Sequence, residues 1–249
     1  MNNITQDGFL GGKLLINQPA KGHRSGIDAV LLAASISATP NMQIAELGCG
    51  VGVASLCLAA RLPDISITGY DIDAPSIALA QQNAQQNIKQ NKLSDIQFVE
   101  QDIHAPFSKW AQKVPCDQVF ANPPFYATTQ KPSPPNEHKE KAHMAKPDTL
   151  AIWVKRGVSL LKANGCLTFI HVPEALPELL AAMTPRLGGV EILPIVPFAG
   201  TLAKRVLIRG WRDSRAPLKI LSPLVLHRED KSYQPQIESV LRHGERLVW

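Results

Sequence analysis

Residues 43–53 read QIAELGCGVGV, a short apolar run followed by glycines at positions 48, 50 and 52. The run predicts a buried strand over Gln43–Leu47, and the residues after it predict a buried helix over Val51–Arg61. Glycines at alternate positions let the backbone turn sharply and let a ligand approach closely. This stretch therefore predicts a strand, a ligand-binding loop and a helix.

The spacing of the glycines indicates the kind of ligand. A dinucleotide-binding GxGxxG loop would need glycine at position 53, where Val53 stands. The GxGxG spacing suits a ligand that has no pyrophosphate to seat, such as S-adenosylmethionine. The same observation disfavours a nicotinamide-dependent dehydrogenase.

Strands and helices alternate after this stretch, which predicts an α/β fold with a doubly wound, mostly parallel sheet. Two late strands follow each other too closely for a helix between them, so we expect seven strands with one antiparallel edge strand. Further strands are predicted at Ile65–Tyr70, Ile96–Glu100, Asp117–Ala121, Cys166–His171, Val190–Val196 and Ala203–Trp211, and further helices at Ala74–Asn87, near 148–161 and within Glu174–Met183.

Residues 1–40 precede this core and include a helical pattern at Ile27–Ser37. We predict that they form a cap that faces the substrate, and that residues 41–249 form the catalytic part of a single domain. Residues 131–146, rich in lysine and proline, show no periodicity and are predicted to be a mobile, substrate-facing loop.

Acidic residues follow the second and third strands of the core. Asp71 comes nineteen positions after Gly52, where a carboxylate can accept hydrogen bonds from both ribose hydroxyls. Asp73 is the nearby competitor, and the strand boundary favours Asp71. Asp102 can accept from the adenine amino group of the cofactor. Because ligands bind at the carboxyl ends of parallel strands, these acids are candidate cofactor contacts.

The fourth strand ends in Asn122-Pro123-Pro124-Phe125. Consecutive prolines fix φ, so this segment is a rigid arm. The Asn122 side-chain oxygen and a carbonyl of the Pro-Pro segment can both accept from one NH2 group, which points its lone pair at a sulfonium methyl. Phe125 offers a face on which a planar base can stack. All four residues are predicted to be catalytic, mainly by positioning.

Basic residues are concentrated near the C-terminal end of the sequence. Residues 204–249 hold ten Lys and Arg against five Asp and Glu, an excess equal to the net charge of +5 of the whole chain. This pattern favours a polyanionic partner. The predicted RNA contacts are Arg24, Lys131, Lys204, Arg205, Arg209 and Arg212.

The four cysteines lie far apart and form no CxxC pair, which argues against a zinc site and a disulfide framework. No apolar stretch reaches the roughly 20 residues of a membrane helix, and residues 1–12 lack a signal-peptide pattern. We therefore expect a cytoplasmic protein with no metal and no membrane contact. The oligomeric state is open, with a monomer favoured.

These motifs together resemble the Rossmann-like class I S-adenosylmethionine-dependent methyltransferases of the NPPF/Y type. The stretches at 9–12, 26–32, 203–207 and 223–227 are similar to the branch of tRNA(Val) adenine-N6 methyltransferases, which modify the adenine at position 37. The resemblance implies the same activity here. The predicted cofactor contacts are Glu46, Gly48, Cys49, Gly50, Gly52, Asp71, Ile72, Asp102, Ile103 and Asn122.

Three alternatives stay open at this point. An amide NH2 would fit the same arm, so a protein glutamine N-methyltransferase is the main rival. An RNA guanine-N2 methyltransferase is the second, since NPPF also occurs in such enzymes. An RNA-binding module without catalysis is the third, and it predicts damage at Gly48, Gly50 or Asn122, where the sequence is intact. The basic C-terminal residues favour RNA over protein.

Overall fold

The computed structural model describes residues 4–22, 24–91, 93, 95–110, 113–124 and 149–249. They form an α/β fold with one large sheet and a separate N-terminal hairpin. The strands are β1 Ile4–Phe9, β2 Leu14–Pro19, β3 Gln43–Leu47, β4 Ser66–Asp71, β5 Asp95–Glu100, β6 Cys116–Ala121, β7 Leu161–His171, β8 Leu187–Val196, β9 Arg205–Arg212, β10 Lys219–Ile220 and β11 Leu224–Val225. The helices are α1 Ile27–Ser35, α2 Val53–Arg61, α3 Ala74–Asn91, α4 Thr149–Leu160, α5 Leu176–Met183 and α6 Pro235–His243.

The large sheet has the strand order β10-β8-β9-β7-β6-β3-β4-β5, and β11 also pairs with β8. Only β9 runs antiparallel to its neighbours among these described strands. The predicted doubly wound, mostly parallel sheet is confirmed. Two details differ from the expectation. The antiparallel strand lies inside the sheet, between β7 and β8, and the two-residue strands β10 and β11 raise the number of strands to nine, because they are too short to show a period in the sequence.

Helices cover both faces of the sheet. Buried residues of α1, α2, α3 and α6 form one core, and those of α4 and α5 form the other. Strand β6 shows how one strand serves both cores, because Phe120 belongs to the first while Val119 and Ala121 belong to the second. Successive side chains of a strand point to opposite faces, so a strand covered on both sides must be apolar throughout. This explains the continuous apolar runs of the core strands.

The hairpin of β1 and β2 was not predicted, and it docks on α3 through two buried asparagines. Asn87 accepts from the backbone N–H of Leu15 at 3.1 Å and donates to the Leu15 carbonyl at 2.8 Å. Asn83 makes the same pair of bonds with Asn17, at 2.9 and 3.1 Å. Four helix residues advance about 6 Å and two strand residues about 6.8 Å, so side chains four apart on α3 can bond alternate residues of β2. The backbone N–H and C=O groups of Leu15 and Asn17 in β2 thereby have hydrogen-bond partners.

Replacing Asn87 with alanine is expected to lower the free energy of unfolding by about 1–3 kcal/mol, since the partly buried backbone N–H and C=O of Leu15 both lose their partner. Urea unfolding followed by circular dichroism measures this. Gln85→Ala, an exposed change on the same helix, is the matched control and should cost less than about 0.5 kcal/mol. Equal effects of the two changes would contradict this role of Asn87.

Candidate active site

The carboxyl ends of three neighbouring strands meet at one edge of the sheet. The parallel register sets Leu47 of β3 beside Tyr70 of β4 on one side and beside Ala121 of β6 on the other. Gly48, Asp71 and Asn122 therefore follow adjacent strands, which are about 4.8 Å apart. The structure thus brings together the glycine loop, the strand-end acid and the proline-braced arm that the sequence placed far apart.

Backbone hydrogen bonds hold the glycine loop, residues 48–52, against the end of β4. The N–H groups of Gly48 and Cys49 donate to the Tyr70 carbonyl at 2.7 and 3.0 Å, and that of Gly50 donates to Asp71 Oδ2 at 2.7 Å. All three glycines of the loop have positive φ, between 52° and 87°. This explains the residue type at these positions, since other residues rarely adopt that conformation.

The space around the loop differs from one glycine to the next. A Cβ at Gly48 would overlap the Trp153 ring, and one at Gly52 would lie 2.6 Å from the Phe98 ring. A Cβ at Gly50 would meet no atom of the described residues within 4 Å. The loop is therefore closed on the protein side and open at Gly50, which is where a ligand can approach the backbone.

Glu46 lies in β3, two residues before Gly48, and is buried. Its Oε2 accepts from the Ser55 N–H at 3.0 Å and from the Ser55 hydroxyl, which ties β3 to the first turn of α2. Burial raises the pKa of Glu46 to about 8, the negative charge of Asp71 adds to this rise, and the two bonds from Ser55 oppose it. Among the described residues, the contacts of the Glu46 carboxyl thus stabilise the fold.

The two acids after β4 have different surroundings. Asp71 accepts from Gly50 N–H through Oδ2 and from Asp73 N–H through Oδ1, and burial raises its pKa. Asp73 accepts from the N–H and the hydroxyl of Ser76, so it caps the start of α3. Asp71 is therefore the acid that lies on the glycine loop. Ile72 between them is 64% exposed.

Asp102 lies next to Asp71 along the edge. Gln101, which precedes it, donates its N–H to the Asp71 carbonyl at 2.7 Å. Asp102 Oδ1 accepts from the His104 N–H at 2.7 Å, and Ile103 is buried. The acid therefore sits in a tight turn whose position is tied to the end of β4.

Asn122 carries an unusual polar atom. Its Oδ1 is buried and has no hydrogen-bond partner among the residues that the structure describes. An unsatisfied buried acceptor costs about 1–3 kcal/mol, so such an atom is typical of a site where a ligand donates. Pro123 is buried and Pro124 is exposed. Phe125, predicted to be part of this arm, lies outside the described residues.

The predicted RNA contacts do not all lie at this edge. Because β9 is antiparallel, its first residue is at the carboxyl edge of the parallel strands and its last residue, Arg212, is at the opposite edge beside Leu187. Lys204 and Arg205 therefore lie on the side of Asn122. Arg205 donates to Asp28 at the start of α1, at 2.7 Å.

Three further predicted contacts are engaged elsewhere or fall outside the described residues. Arg209 is mostly buried, pairs with Glu191 at 2.7 Å and lies over the Trp249 ring at 3.9 Å. Arg24 pairs with Asp7 of the hairpin. Lys131 and the loop 131–146 belong to the part of the chain that the structure does not describe. These pairings could not be predicted from the sequence, since their members are far apart in the chain.

One residue that contacts this site was not predicted from the sequence. Arg156 of α4 is buried and donates to the carbonyls of Ile103 and Ala105, on either side of the turn that follows Asp102. Backbone carbonyls occur at every position, so a sequence pattern does not reveal such a partner.

A family model described as "Methyltransferase small domain" matches residues 24–171, which span the glycine loop, both strand-end acids and the arm. The chain belongs to this family. The relatives of this methyltransferase include proteins named tRNA1(Val) (adenine(37)-N6)-methyltransferase. That of Haemophilus influenzae (strain Rd) is 29% identical and the match covers 88% of this chain and 89% of the relative. That of Photorhabdus laumondii is 25% identical over 96% and 95% of the two chains.

A solved structure supports the fold assignment. The crystal structure of a predicted O-methyltransferase from Agrobacterium tumefaciens superposes with a TM-score of 0.73 at 25% identity, over 88% of this chain and 98% of that one. Within the described residues, no helix is both long and apolar enough to cross a membrane. The same residues contain no cluster of three His, Cys, Asp or Glu side chains that could bind a metal ion.

The raised pKa of Glu46 predicts a pH effect on stability. Between its ordinary pKa of 4.5 and the folded-state value of about 8, the folded protein keeps a proton that the unfolded chain releases. The free energy of unfolding of the wild type, relative to Glu46→Gln, should therefore fall as pH rises through this window, by at most about 1.4 kcal/mol per pH unit.

Urea unfolding of both proteins at pH 5, 6, 7 and 8 measures this difference. The exposed change Glu100→Gln at the end of β5 is the control. A difference between wild type and Glu46→Gln that stays constant over the window would show that Glu46 is ionised throughout.

Proposed function

We propose that the protein transfers the methyl group of S-adenosylmethionine to the N6 amino group of the adenine at position 37 of a tRNA. The observation that carries the proposal is the buried Oδ1 of Asn122, which has no partner among the described residues and directly follows β6, the strand beside β3 and its glycine loop. Such an acceptor fits a ligand that donates an N–H, and the loop beside it is open at Gly50. The proposal places the methyl donor at the glycine loop and the amino group of the substrate at Asn122.

The crevice residues fit the cofactor. A carboxylate has about four acceptor positions, and the backbone N–H groups of Gly50, Asp73 and Ile72 interact with that of Asp71 without filling all four. The remaining positions can accept the ribose hydroxyls. We assign Asp102 to the adenine amino group, the exposed Ile72 and the buried Ile103 to the flanks of the ring, and the loop 48–52 with Glu46 to the methionine end. When bound, the cofactor supplies an electrophilic methyl group.

The arm would act by positioning the amino group. Asn122 Oδ1 accepts one N–H of the amino group, and a carbonyl of the Pro123-Pro124 segment accepts the other. Two acceptors in fixed places turn the nitrogen lone pair out of the ring and towards the methyl carbon. As the new N–CH3 bond would form, the S–CH3 bond of the sulfonium would break and its sulfur would keep the electron pair. The nitrogen would become cationic in this transfer and would then lose a proton to water, so no strong base is needed before transfer. We assign Phe125 to stacking on the base.

The choice of tRNA as substrate rests on the relatives and on charge. Relatives that align with nearly the whole chain are named as tRNA adenine-N6 methyltransferases. Lys204 and Arg205 lie at the same edge as Asn122 and can meet the RNA backbone, and we keep Lys131 and Arg24 as further candidates. We no longer assign Arg209 and Arg212 to RNA, since one is buried in an ion pair and the other lies at the opposite edge.

Residues 1–40 keep their proposed role as a substrate-facing cap. The start of α1 supports this role, because Asp28 pairs with Arg205 at the carboxyl edge. An RNA-modifying activity of this kind places the protein in the cytoplasm.

Asn122→Ala should lower the turnover number for RNA methylation by at least about a hundredfold, because the amino group loses an oriented acceptor. The affinity for S-adenosylmethionine, measured by calorimetry, should change by less than about twofold to threefold. Asp71→Ala is the contrasting variant and should weaken cofactor binding. Equal losses of turnover and cofactor affinity in Asn122→Ala would contradict its role.

The identity of the product tests the function as a whole. The protein is incubated with isotope-labelled S-adenosylmethionine and total RNA from a strain that lacks the gene, and the nucleosides are analysed by mass spectrometry. Labelled N6-methyladenosine from tRNA is the expected result. Labelled N2-methylguanosine, or label found only on protein glutamine in a lysate, would replace the proposal with one of its two rivals.

Lys204→Ala should weaken tRNA binding and lower the slope of log affinity against log salt by about 0.7–0.9, the value of one phosphate contact. Arg215→Ala removes an exposed charge beside the start of β8, at the opposite edge, and serves as the matched control. Fluorescence anisotropy with labelled tRNA at several salt concentrations measures both slopes. If the slope changes for Arg215→Ala and not for Lys204→Ala, the RNA binds the other edge.

A further inference from the structure

Helix α4 contacts both halves of the candidate cofactor crevice. On one side it reaches the glycine loop, and on the other the turn 102–105 that follows β5. We propose that Trp153 and Arg156 of α4 are positioning residues that hold these two halves at the separation which the cofactor requires. The proposal rests on the proposed function, because it names S-adenosylmethionine as the ligand of the crevice.

Trp153 limits how far the glycine loop can move towards α4. The ring is buried, and it lies so close to Gly48 that a Cβ there would overlap it. On the opposite side the loop is bonded to the Tyr70 carbonyl. Gly48 is therefore held between an aromatic ring and a hydrogen-bond acceptor, and its backbone has little freedom to shift.

Arg156 fixes the turn that carries Asp102. It lies three residues after Trp153, so both side chains project from nearly the same side of the helix. Its Nε donates to the Ile103 carbonyl at 2.8 Å and its Nη2 to the Ala105 carbonyl at 2.8 Å. Two directed bonds from one planar group span the turn and set its orientation.

The surroundings of Arg156 indicate that this side chain does more than fill space in the core. Its side chain is buried and forms no ion pair with any described residue. Its guanidinium lies 5.8 Å from the Phe107 ring and 5.7 Å from the Trp110 ring. The Asp102 carboxylate attracts this charge without a direct ion pair, and burying the guanidinium still costs free energy that an apolar side chain in the same place would not cost. The bonds to the two carbonyls are what an apolar residue could not supply.

The two contacts belong to one closed network. Trp110, whose ring lies near the Arg156 guanidinium, packs on the Tyr70 ring at a centroid distance of 5.1 Å. The Tyr70 carbonyl in turn accepts from Gly48 and Cys49. A path therefore runs from Arg156 through Trp110 and Tyr70 to the glycine loop and back to α4 at Trp153. A shift of α4 would change the distance between the loop and the Asp102 turn.

Two probes that fill different parts of the crevice test the proposal. Adenosine occupies the half near Asp102, whereas S-adenosylhomocysteine also reaches the glycine loop. Arg156→Met should lower the affinity for both probes by a similar factor of about ten. Trp153→Leu should lower the affinity for S-adenosylhomocysteine about tenfold and that for adenosine less than about threefold. Calorimetry of the full chain measures all four values.

Three controls accompany these measurements. Lys155→Met changes an exposed residue of the same helix and should leave both affinities unaltered. Arg156→Lys keeps the charge with a single donor group and should recover part of the loss, and it replaces Arg156→Met if that variant does not fold. The affinity for tRNA should stay within about twofold of wild type in every folded variant.

The outcomes separate the proposal from the proposed function. If Arg156→Met affects binding no more than Lys155→Met does, or if Trp153→Leu lowers the affinity for adenosine as much as that for S-adenosylhomocysteine, the positioning roles are wrong while the function stands. If the wild type binds neither probe, the cofactor assignment fails, and this inference fails with it.

Discussion

The site depends on one constraint, the parallel register of β3 with β4 and β6. Each strand of a parallel sheet bonds its neighbours at fixed steps, so the residues that follow Leu47, Tyr70 and Ala121 must lie side by side. A shift of β6 by one residue would turn the Phe120 side chain to the opposite face of the sheet, into the second core. It would also move Asn122 away from the glycine loop. The apolar cores on both faces therefore fix the geometry of the site as well as the stability of the fold.

Many polar atoms near this edge of the sheet are hydrogen-bonded within the protein. The backbone donors of the glycine loop that face the protein are bonded to Tyr70 and Asp71, and the Glu46 carboxyl is bonded to Ser55. The open side of Gly50 and the buried oxygen of Asn122 stand apart from this pattern. We propose that a ligand binds at these two positions.

Much of the fold followed from periodicity in the sequence. The core strands and helices were predicted within a few residues, because strands covered on both faces are apolar throughout and their loops carry glycine and proline. The hairpin β1–β2 was missed since its partner is an asparagine pair on α3, and α6 was missed although Pro235 and Gly244 mark its ends.

The site was predicted in outline. Asp71 could be preferred to Asp73, yet only the structure shows that Asp73 caps α3. Lys204 and Arg212 looked equivalent in the sequence, and the antiparallel direction of β9 places them at opposite edges. The most direct test of the account uses tRNA with adenosine or with purine riboside, which lacks the amino group, at the target position. Removing the amino group should weaken binding about tenfold for the wild type and less than about twofold for Asn122→Ala. An equal loss for both proteins would show that Asn122 does not hold the amino group.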